Sequence, residues 1–104
     1  MENTVFKICG REEWAAASVA GEYLGNADDA RDGFIHLSAA DQVAGTLEKH
    51  YAGRTDLLLV AVDAEALGTA LKWEPSRGGA LFPHLYGPLP LASVTGVTEI
   101  GADQ

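Results

Sequence analysis

The strongest constraint on the fold of this 104-residue chain is the run Leu57 to Val62, six consecutive aliphatic residues without polar alternation. Such a run is typical of a strand that is buried on both faces, so we expect it at the centre of a sheet. It is far shorter than the roughly 20 apolar residues that a membrane-spanning helix needs. A chain of this length is expected to build one hydrophobic core. We therefore predict a single domain over residues 1–104, with residues 101–104 as a flexible tail.

Shorter patterns predict the elements that precede this strand. Val5–Cys9 has the composition of a strand and is followed by Gly10. Acidic residues near its start and Gly21 at its end indicate a helix from Arg11 to Gly21. The inward face of this helix is expected to carry Trp14, Ala17 and Val19.

The next stretch combines a predicted loop, strand and helix. Residues 23–33 are rich in Gly, Asn and Asp, which indicates a loop. Phe34–Ser38 is predicted as a strand with Phe34, His36 and Ser38 on one face. Ser38 is also a good N-cap for an amphipathic helix that ends at Gly53.

Beyond the central strand, the pattern predicts two more strands and an irregular segment. Asp63–Gly68 indicates one capped helical turn, and Ala70–Glu74 and Ser93–Ile100 indicate strands. Three prolines in Leu81–Pro90 argue against a helix and against a central strand. We expect an ordered, extended segment at the surface there.

The net charge of the chain and its distribution limit the kinds of molecule that the protein is expected to bind. The formal net charge of −8 would repel a phosphate backbone, which makes nucleic-acid binding unlikely. The acidity is uneven, because residues 66–98 contain only Lys72, Glu74 and Arg77 as charged side chains. The C-terminal half is therefore the part that could hold an anionic ligand.

The N-terminus and the single cysteine bear on location and redox chemistry. Residues 1–4 contain an acid and no basic side chain, which does not suit a signal peptide and predicts a cytoplasmic protein without membrane contact. Cys9 has no second thiol with which to form a disulfide, and we interpret it as a small buried residue. His36, His50 and His84 are too scattered to argue a zinc site, so no metal is predicted.

Two segments share a pattern that could carry chemistry. Phe34–Ser38 and Phe82–Tyr86 each place an aromatic residue, a histidine and a hydroxyl at alternating positions. If both are extended and their faces meet, they line a pocket with two imidazoles, two hydroxyls and aromatic walls. Such a pocket suits a planar, anionic ligand, and Arg77 in a glycine-rich loop could bind its phosphate.

Structural interpretations of the same residues stay open. His36 could be a core histidine that bonds a backbone carbonyl. For His84 the aromatic and proline-rich composition of its segment favours a functional role. Trp73 could be core or pocket wall. Glu74 could act as a general base or pair with Arg77 three residues away.

Gly33–Ser38 with Asp41–Gln42, and the later Phe82–Pro90, resemble the signature motifs of a bacterial family known as domain of unknown function 952. The resemblance spans nearly the whole chain. It implies no activity, because none is established for that family.

A more distant resemblance implies a mechanism. His36-Leu37-Ser38, the following helix and the strand over Leu58–Ala64 are similar to the C-terminal half of the NAD-dependent RNA 2'-phosphotransferases. Those enzymes belong to the ADP-ribosyltransferase superfamily, whose split, mostly antiparallel sheet holds NAD in a cleft. The resemblance implies that His36 and Ser38 lie beside the nicotinamide ribose and that His84 and Tyr86 close the cleft.

This chain departs from that superfamily in two respects. It has only three arginines besides Arg77 and an acidic net charge, so RNA is a doubtful substrate. The glutamate that many of those enzymes use has only Glu74 and Glu99 as late-chain counterparts, and neither lies in a recognisable motif.

Together these patterns predict an α+β domain with a mixed, mostly antiparallel split sheet and two main helices, similar to ADP-ribosyltransferases. The predicted function is binding of NAD or an ADP-ribose derivative, with ADP-ribosyl transfer as its chemistry. The alternatives are a non-catalytic module that contacts a protein or small molecule through Phe82–Pro90, and a hydrolase with one histidine as general base. The predicted catalytic residues are His36, His84 and Glu74, and the predicted nucleotide-binding residues are Phe34, Ser38, Trp73, Arg77, Phe82 and Tyr86.

Overall fold

A computed structural model describes residues 3–100, apart from the side chain of Arg77. The predicted tail at residues 101–104 lies outside the described residues. The helices are α1 (Arg11–Ala20), α2 (Ala27–Asp32), α3 (Val43–His50) and α4 (Ala64–Leu67). The strands are β1 (Thr4–Gly10), β2 (Glu22–Tyr23), β3 (Ile35–His36), β4 (Leu57–Asp63), β5 (Leu71–Pro75), β6 (Leu81–Leu85), β7 (Leu89–Pro90) and β8 (Val94–Ile100).

The aliphatic run forms the middle strand of a three-stranded sheet, as predicted. β4 pairs antiparallel with β1 on one side and β8 on the other. Val60 and Val62 of β4 are fully buried, and so are Val5 and Cys9 of the adjacent β1. This sheet therefore supplies much of the core, and the expectation of a buried Cys9 is confirmed. Burial raises the pKa of the Cys9 thiol to about 11, so the thiol is uncharged at neutral pH.

A second three-stranded sheet contains the proline-rich segment. β6 lies between β3 and β5, so the prediction that its prolines exclude a central strand was wrong. The carbonyl of Pro83 accepts a hydrogen bond from the amide of Leu37 at 3.0 Å. Because N and C=O of one residue point to the same side of an antiparallel ladder, the nitrogen of Pro83 also faces this side, just beyond the two residues of β3. The missing N–H of Pro83 therefore removes little of the hydrogen bonding between β3 and β6.

The predicted loop at residues 23–33 contains helix α2, which corrects that prediction. The Asn26 side chain accepts a hydrogen bond from the amide of Asp29, and the Asp29 side chain accepts one from the amide of Asn26. This reciprocal box fixes the start of the helix, and Gly33, with φ of 87°, ends it. The short helix matters for function because it carries the buried carboxylate of Asp29.

Helix α3 begins later than predicted. A 3-10 turn over Ala40–Gln42 precedes it, and the amide of Ala39 donates to the side chain of Gln42. Ser38, the predicted N-cap, instead exchanges two backbone hydrogen bonds of 2.8 Å with Phe6 of β1. That bridge joins the edges of the two three-stranded sheets.

The described residues form one compact α+β domain with a radius of gyration of 12.7 Å. Every strand pairing is antiparallel, so the sheets are not mixed as predicted. Helix α1 ends at Gly21 as predicted, but Val19 is exposed instead of facing inward. Over residues 3–100, none of the helices has the length and apolar character needed to cross a membrane.

Candidate functional site

The two histidines that share a sequence pattern also share a pocket. His36 of β3 lies directly opposite His84 of β6 in the strand register, which places both side chains on the same face of the sheet. Their ring centroids are 5.8 Å apart, with one ring edge-on to the other. Both line a cavity of about 260 Å³ that also receives Ser38 and Phe82. The predicted meeting of the two faces therefore occurs.

Phe34 packs against the rings of this face. Its ring stacks on His84 at a centroid distance of 4.0 Å and lies tilted against His36 at 4.6 Å and Tyr86 at 5.3 Å. It does not line the cavity shared by the histidines, and instead borders a second cavity of about 210 Å³ together with Gly87. Phe34 thus packs against the two imidazoles. It does not line the shared cavity, although it was predicted as a nucleotide-binding residue.

His36 is held by a buried carboxylate. The Nδ1 atom of His36 lies 2.6 Å from Oδ1 of Asp29, and the backbone amide of His36 donates to the same oxygen. The Nζ atom of Lys7 donates to Oδ2 of Asp29 at 2.9 Å and to the carbonyl of His36. Burial alone would raise the pKa of Asp29, but the hydrogen bond from His36 and the charge of Lys7 outweigh it and lower the pKa to about 2. Asp29 is therefore ionised, and Nδ1 of His36 carries a proton.

A second carboxylate approaches the other ring nitrogen of His36. Oδ2 of Asp32 lies 2.9 Å from Nε2 of His36, four residues along the chain. Arg31 donates to Oδ1 of Asp32 and also to Asp28. The hydrogen bond from Arg31 is the main reason why the pKa of Asp32 is lowered.

His84 is held by a more exposed carboxylate. Its Nδ1 lies 2.7 Å from Oε1 of Glu74, and the hydroxyl of Tyr86 donates to the same oxygen at 2.8 Å. Glu74 is diagonal to His84 across the β5–β6 ladder, because Lys72 is the residue directly opposite His84. Hydrogen bonds from His84 and Tyr86 lower the pKa of Glu74. The predicted pairing of Glu74 with Arg77 concerns a side chain outside the described residues.

Comparison with known proteins agrees with the sequence motifs. Residues 8–97 match a family model described as a protein of unknown function, DUF952. The chain belongs to the DUF952 family. The crystal structure of protein CC0527 from Caulobacter crescentus is 50% identical, with a TM-score of 0.91 over 96% of this chain and 90% of that chain. The solution NMR structure of CC0527 is also 50% identical, with a TM-score of 0.86 over 97% of this chain and 89% of that chain. No curated protein matches the chain.

The predicted site residues of this DUF952 chain divide into three groups. His36, Ser38, Phe82 and His84 line the shared cavity. Glu74 contacts His84, Tyr86 contacts Glu74 and Phe34, and the partly buried Trp73 packs against the hydrophobic core. The side chain of Arg77 is not described, but the preceding residue, Ser76, lines the cavity.

Sequence reasoning missed the polar residues that surround His36. Lys7, Asp29 and Asp32 line the cavity, as do Thr46 and Tyr51 of the segment around α3. The spacing of Asn26 and Asp29 carried a readable signal, since it is that of a helix-capping box. Lys7 carried no signal, because its contact with Asp29 spans 22 residues of sequence.

The alternative of a contact surface over Phe82–Pro90 can be compared with this geometry. An apolar contact surface over Phe82–Pro90 would need Phe82 and Leu85 exposed, yet both are buried and only Tyr86 of the three is exposed. Within residues 3–100, no group of three or more His, Cys, Asp or Glu side chains is placed to hold a metal ion.

Proposed function

We propose that the cavity between His36 and His84 binds the nicotinamide and ribose of NAD and that the protein transfers the ADP-ribosyl group to an acceptor. One observation carries the proposal. Two imidazoles, each bonded through Nδ1 to a carboxylate, stand on paired strands and line one cavity. A histidine whose Nδ1 proton is held in this way presents Nε2 for chemistry.

Size and charge favour the nicotinamide end of the dinucleotide. The cavity of about 260 Å³ is smaller than most sites for drug-sized ligands, so we assign it one ring and its ribose. The nicotinamide ring of NAD carries a positive charge, and the aspartates of α2 that border the cavity, Asp28, Asp29 and Asp32, favour a cation. The diphosphate would extend past Ser76 toward the adjacent Arg77, outside the acidic region.

The two histidines are assigned different roles. Nε2 of His84 forms no hydrogen bond with any side chain that the structure describes, so it is available as a base. Nε2 of His36 lies 2.9 Å from Oδ2 of Asp32, so this nitrogen already faces a carboxylate and is not assigned as the base. His36 would therefore bind an oxygen of the ribose or the carboxamide, and His84 would accept a proton.

The transfer step balances with these roles. The bond between C1' of the ribose and the nicotinamide nitrogen breaks, and its electron pair neutralises the nicotinamide ring. An acceptor hydroxyl forms a bond to C1', and its proton moves to Nε2 of His84. Glu74 holds the Nδ1 proton of His84 and stabilises the imidazolium that results, so it is a positioning residue and not the base.

An amide-resolved NMR titration with NAD and with ADP-ribose tests the binding. We expect saturable shifts at His36, Ser38 and His84, and in His84→Gln a loss of transfer with retained binding and folding. Transfer is tested by the release of nicotinamide, measured by chromatography, in the presence of candidate hydroxyl acceptors. Absence of shifts at millimolar concentrations of both ligands would contradict the proposal.

The matched control for the positioning role is a second glutamate. Glu65→Gln changes an exposed residue of α4 that does not line the cavity, whereas Glu74→Gln removes the acceptor of the Nδ1 proton. Glu74→Gln should slow nicotinamide release, and Glu65→Gln should leave it unchanged.

A further inference from the structure

The contact between Asp32 and His36 differs from the other carboxylate contacts of the site. The Asp32 side chain is one-third exposed at the cavity, whereas that of Asp29, on the opposite side of the imidazole, is 2% exposed. Asp32 is the last residue of α2, and Arg31 donates to both of its oxygens, to Oδ1 at 2.9 Å and to Oδ2 at 3.2 Å. Asp32 is thus a solvent-accessible carboxylate that Arg31 holds in place beside His36, whereas Asp29 is enclosed by protein.

Asp32 stands at the nitrogen that a ligand would use. Because Nδ1 of His36 is bonded to the buried Asp29, Nε2 is the ring nitrogen left for an incoming group. Oδ2 of Asp32 is 2.9 Å from that nitrogen. A ligand atom that bonds Nε2 must therefore lie beside a carboxylate or displace it.

We propose that Asp32 is a specificity-determining residue that keeps anionic groups away from Nε2 of His36 and leaves this nitrogen to neutral hydroxyl or carbonyl oxygens. A hydroxyl beside the carboxylate can donate to it while it accepts from His36, and a carbonyl oxygen can accept from His36 without bringing a second negative charge. A negatively charged phosphate oxygen would instead be repelled by the carboxylate of Asp32. The proposal rests on the assignment of this cavity as the ligand site and names the chemical class that it accepts.

The charged groups around His36 come from three elements. Lys7 of β1 neutralises Asp29, Asp32 and Asp29 belong to α2, and His84 of β6 lies edge-on. Of these, Asp32 is the only anion whose charge is not already compensated by a buried partner, because Arg31 is largely exposed. The selection against anions is thus assigned to a single carboxylate.

Inorganic phosphate is the probe, and Asp32→Asn is the variant. Binding is followed at about pH 6 through the ring resonances of His36 in ¹⁵N-edited NMR spectra. We expect the variant to bind phosphate about tenfold more tightly than the wild type, a change of about 1.4 kcal/mol. Asp28→Asn is the matched control, since Asp28 lies on the same helix, borders the same cavity and bonds the same Arg31, but does not contact His36.

A second variant separates His36 from Arg31, which Asp32→Asn releases from an ion pair. In Asp32→Asn with Arg31→Gln, the shift of the His36 ring should persist. Equal gains in Asp28→Asn and Asp32→Asn would overturn the proposal, because they would reflect total charge alone. So would phosphate that leaves the His36 ring of Asp32→Asn unperturbed.

The phosphate experiment uses no NAD, so its result is independent of the NAD titration. If phosphate behaves as expected while NAD fails to bind, the proposed function is wrong and the selection by Asp32 stands. If NAD binds while phosphate shows no dependence on Asp32, the role of Asp32 is wrong and the proposed function stands.

Discussion

The two histidine–carboxylate pairs of this protein are built with opposite burial. In the first pair, the carboxylate of Asp29 is 2% exposed and the imidazole of His36 is 37% exposed. In the second, the imidazole of His84 is 6% exposed and the carboxylate of Glu74 is 35% exposed. The same contact between Nδ1 and a carboxylate oxygen thus occurs in two different electrostatic environments.

The difference separates a structural role from a chemical one. A buried carboxylate needs a compensating charge, and Lys7 supplies it from β1, so the first pair ties α2 and β3 to the larger sheet. The exposed Glu74 is compensated by water and by two hydrogen-bond donors, so its removal leaves no buried charge. We expect the first pair to respond mainly in stability and the second mainly in activity.

The largest effect is expected from Asp29→Asn. This change leaves the buried ammonium of Lys7 without its counter-charge, and losses of about 3–5 kcal/mol in the free energy of unfolding are typical of such a change. Urea unfolding followed by circular dichroism measures it. If the variant does not fold, the double variant Lys7→Met with Asp29→Asn, which removes both charges, should recover much of the loss. A variant within about 1 kcal/mol of the wild type would erase the proposed difference between the pairs.

The ion pair between Asp29 and Lys7 should also determine how the stability of the protein changes at acidic pH. The pKa of Asp29 is about 2 in the folded protein, against an ordinary value of 3.8 for an aspartate side chain. The stabilisation is therefore fully present above about pH 4 and is lost as the pH falls toward 2, with a size of about 2 kcal/mol. The measurement compares urea midpoints of the wild type with those of Lys7→Met with Asp29→Asn between these pH values. Parallel pH curves would show that exposed carboxylates, not Asp29, cause the acid sensitivity.

The second pair should respond in rate. Glu74→Gln keeps the shape of the side chain but weakens the hold on the Nδ1 proton of His84, and we expect nicotinamide release about 10- to 100-fold slower. The urea midpoint should stay close to that of the wild type. A lower kcat at an unchanged KM for NAD distinguishes positioning from simple structural support, because Glu74 acts on the orientation of His84 and not on the ligand. Equal losses of stability in Glu74→Gln and Asp29→Asn would contradict the comparison.

The smallest effect is expected from Tyr86→Phe. The hydroxyl of Tyr86 donates to Glu74, whose main partner is His84, so its loss changes the orientation of the carboxylate without freeing the imidazole. We expect a change of about twofold in the rate of nicotinamide release, in the direction of slower turnover. Tyr23→Phe, which removes a hydroxyl that donates to Glu13 and does not line the cavity, is the control. A larger loss in Tyr86→Phe than in Glu74→Gln would place Tyr86 on the substrate.

Much of this architecture is written in local patterns. The aliphatic run predicted β4 at the centre of its sheet, because a strand whose two faces are both buried has apolar side chains at every position. The repeated order of aromatic residue, histidine and hydroxyl predicted that His36 and His84 would line one cavity. Both predictions rest on the alternation of side chains along a strand, which is a property of the backbone itself.

The failures came from contacts that are distant in sequence. Pro83 was interpreted as excluding a central strand, but its missing donor lies beyond the end of a two-residue neighbour, and the length of that neighbour could not be known beforehand. The aspartates of residues 23–33 suggested a solvated loop, whereas Asp29 is buried because Lys7 reaches it from another element. A charged residue shows its partner only after the chain is folded.

The backbone bridge between Phe6 and Ser38 joins the two three-stranded sheets next to the cavity. It consists of two backbone hydrogen bonds between sheets that the Lys7 side chain also links through the carbonyl of His36, and the cavity lies beside it, with Ile8 and Ser38 on its wall. These two bonds can open while the ladder within each sheet stays intact. The rate at which the amide hydrogens of Phe6 and Ser38 exchange with solvent therefore reports how often this bridge opens beside the cavity.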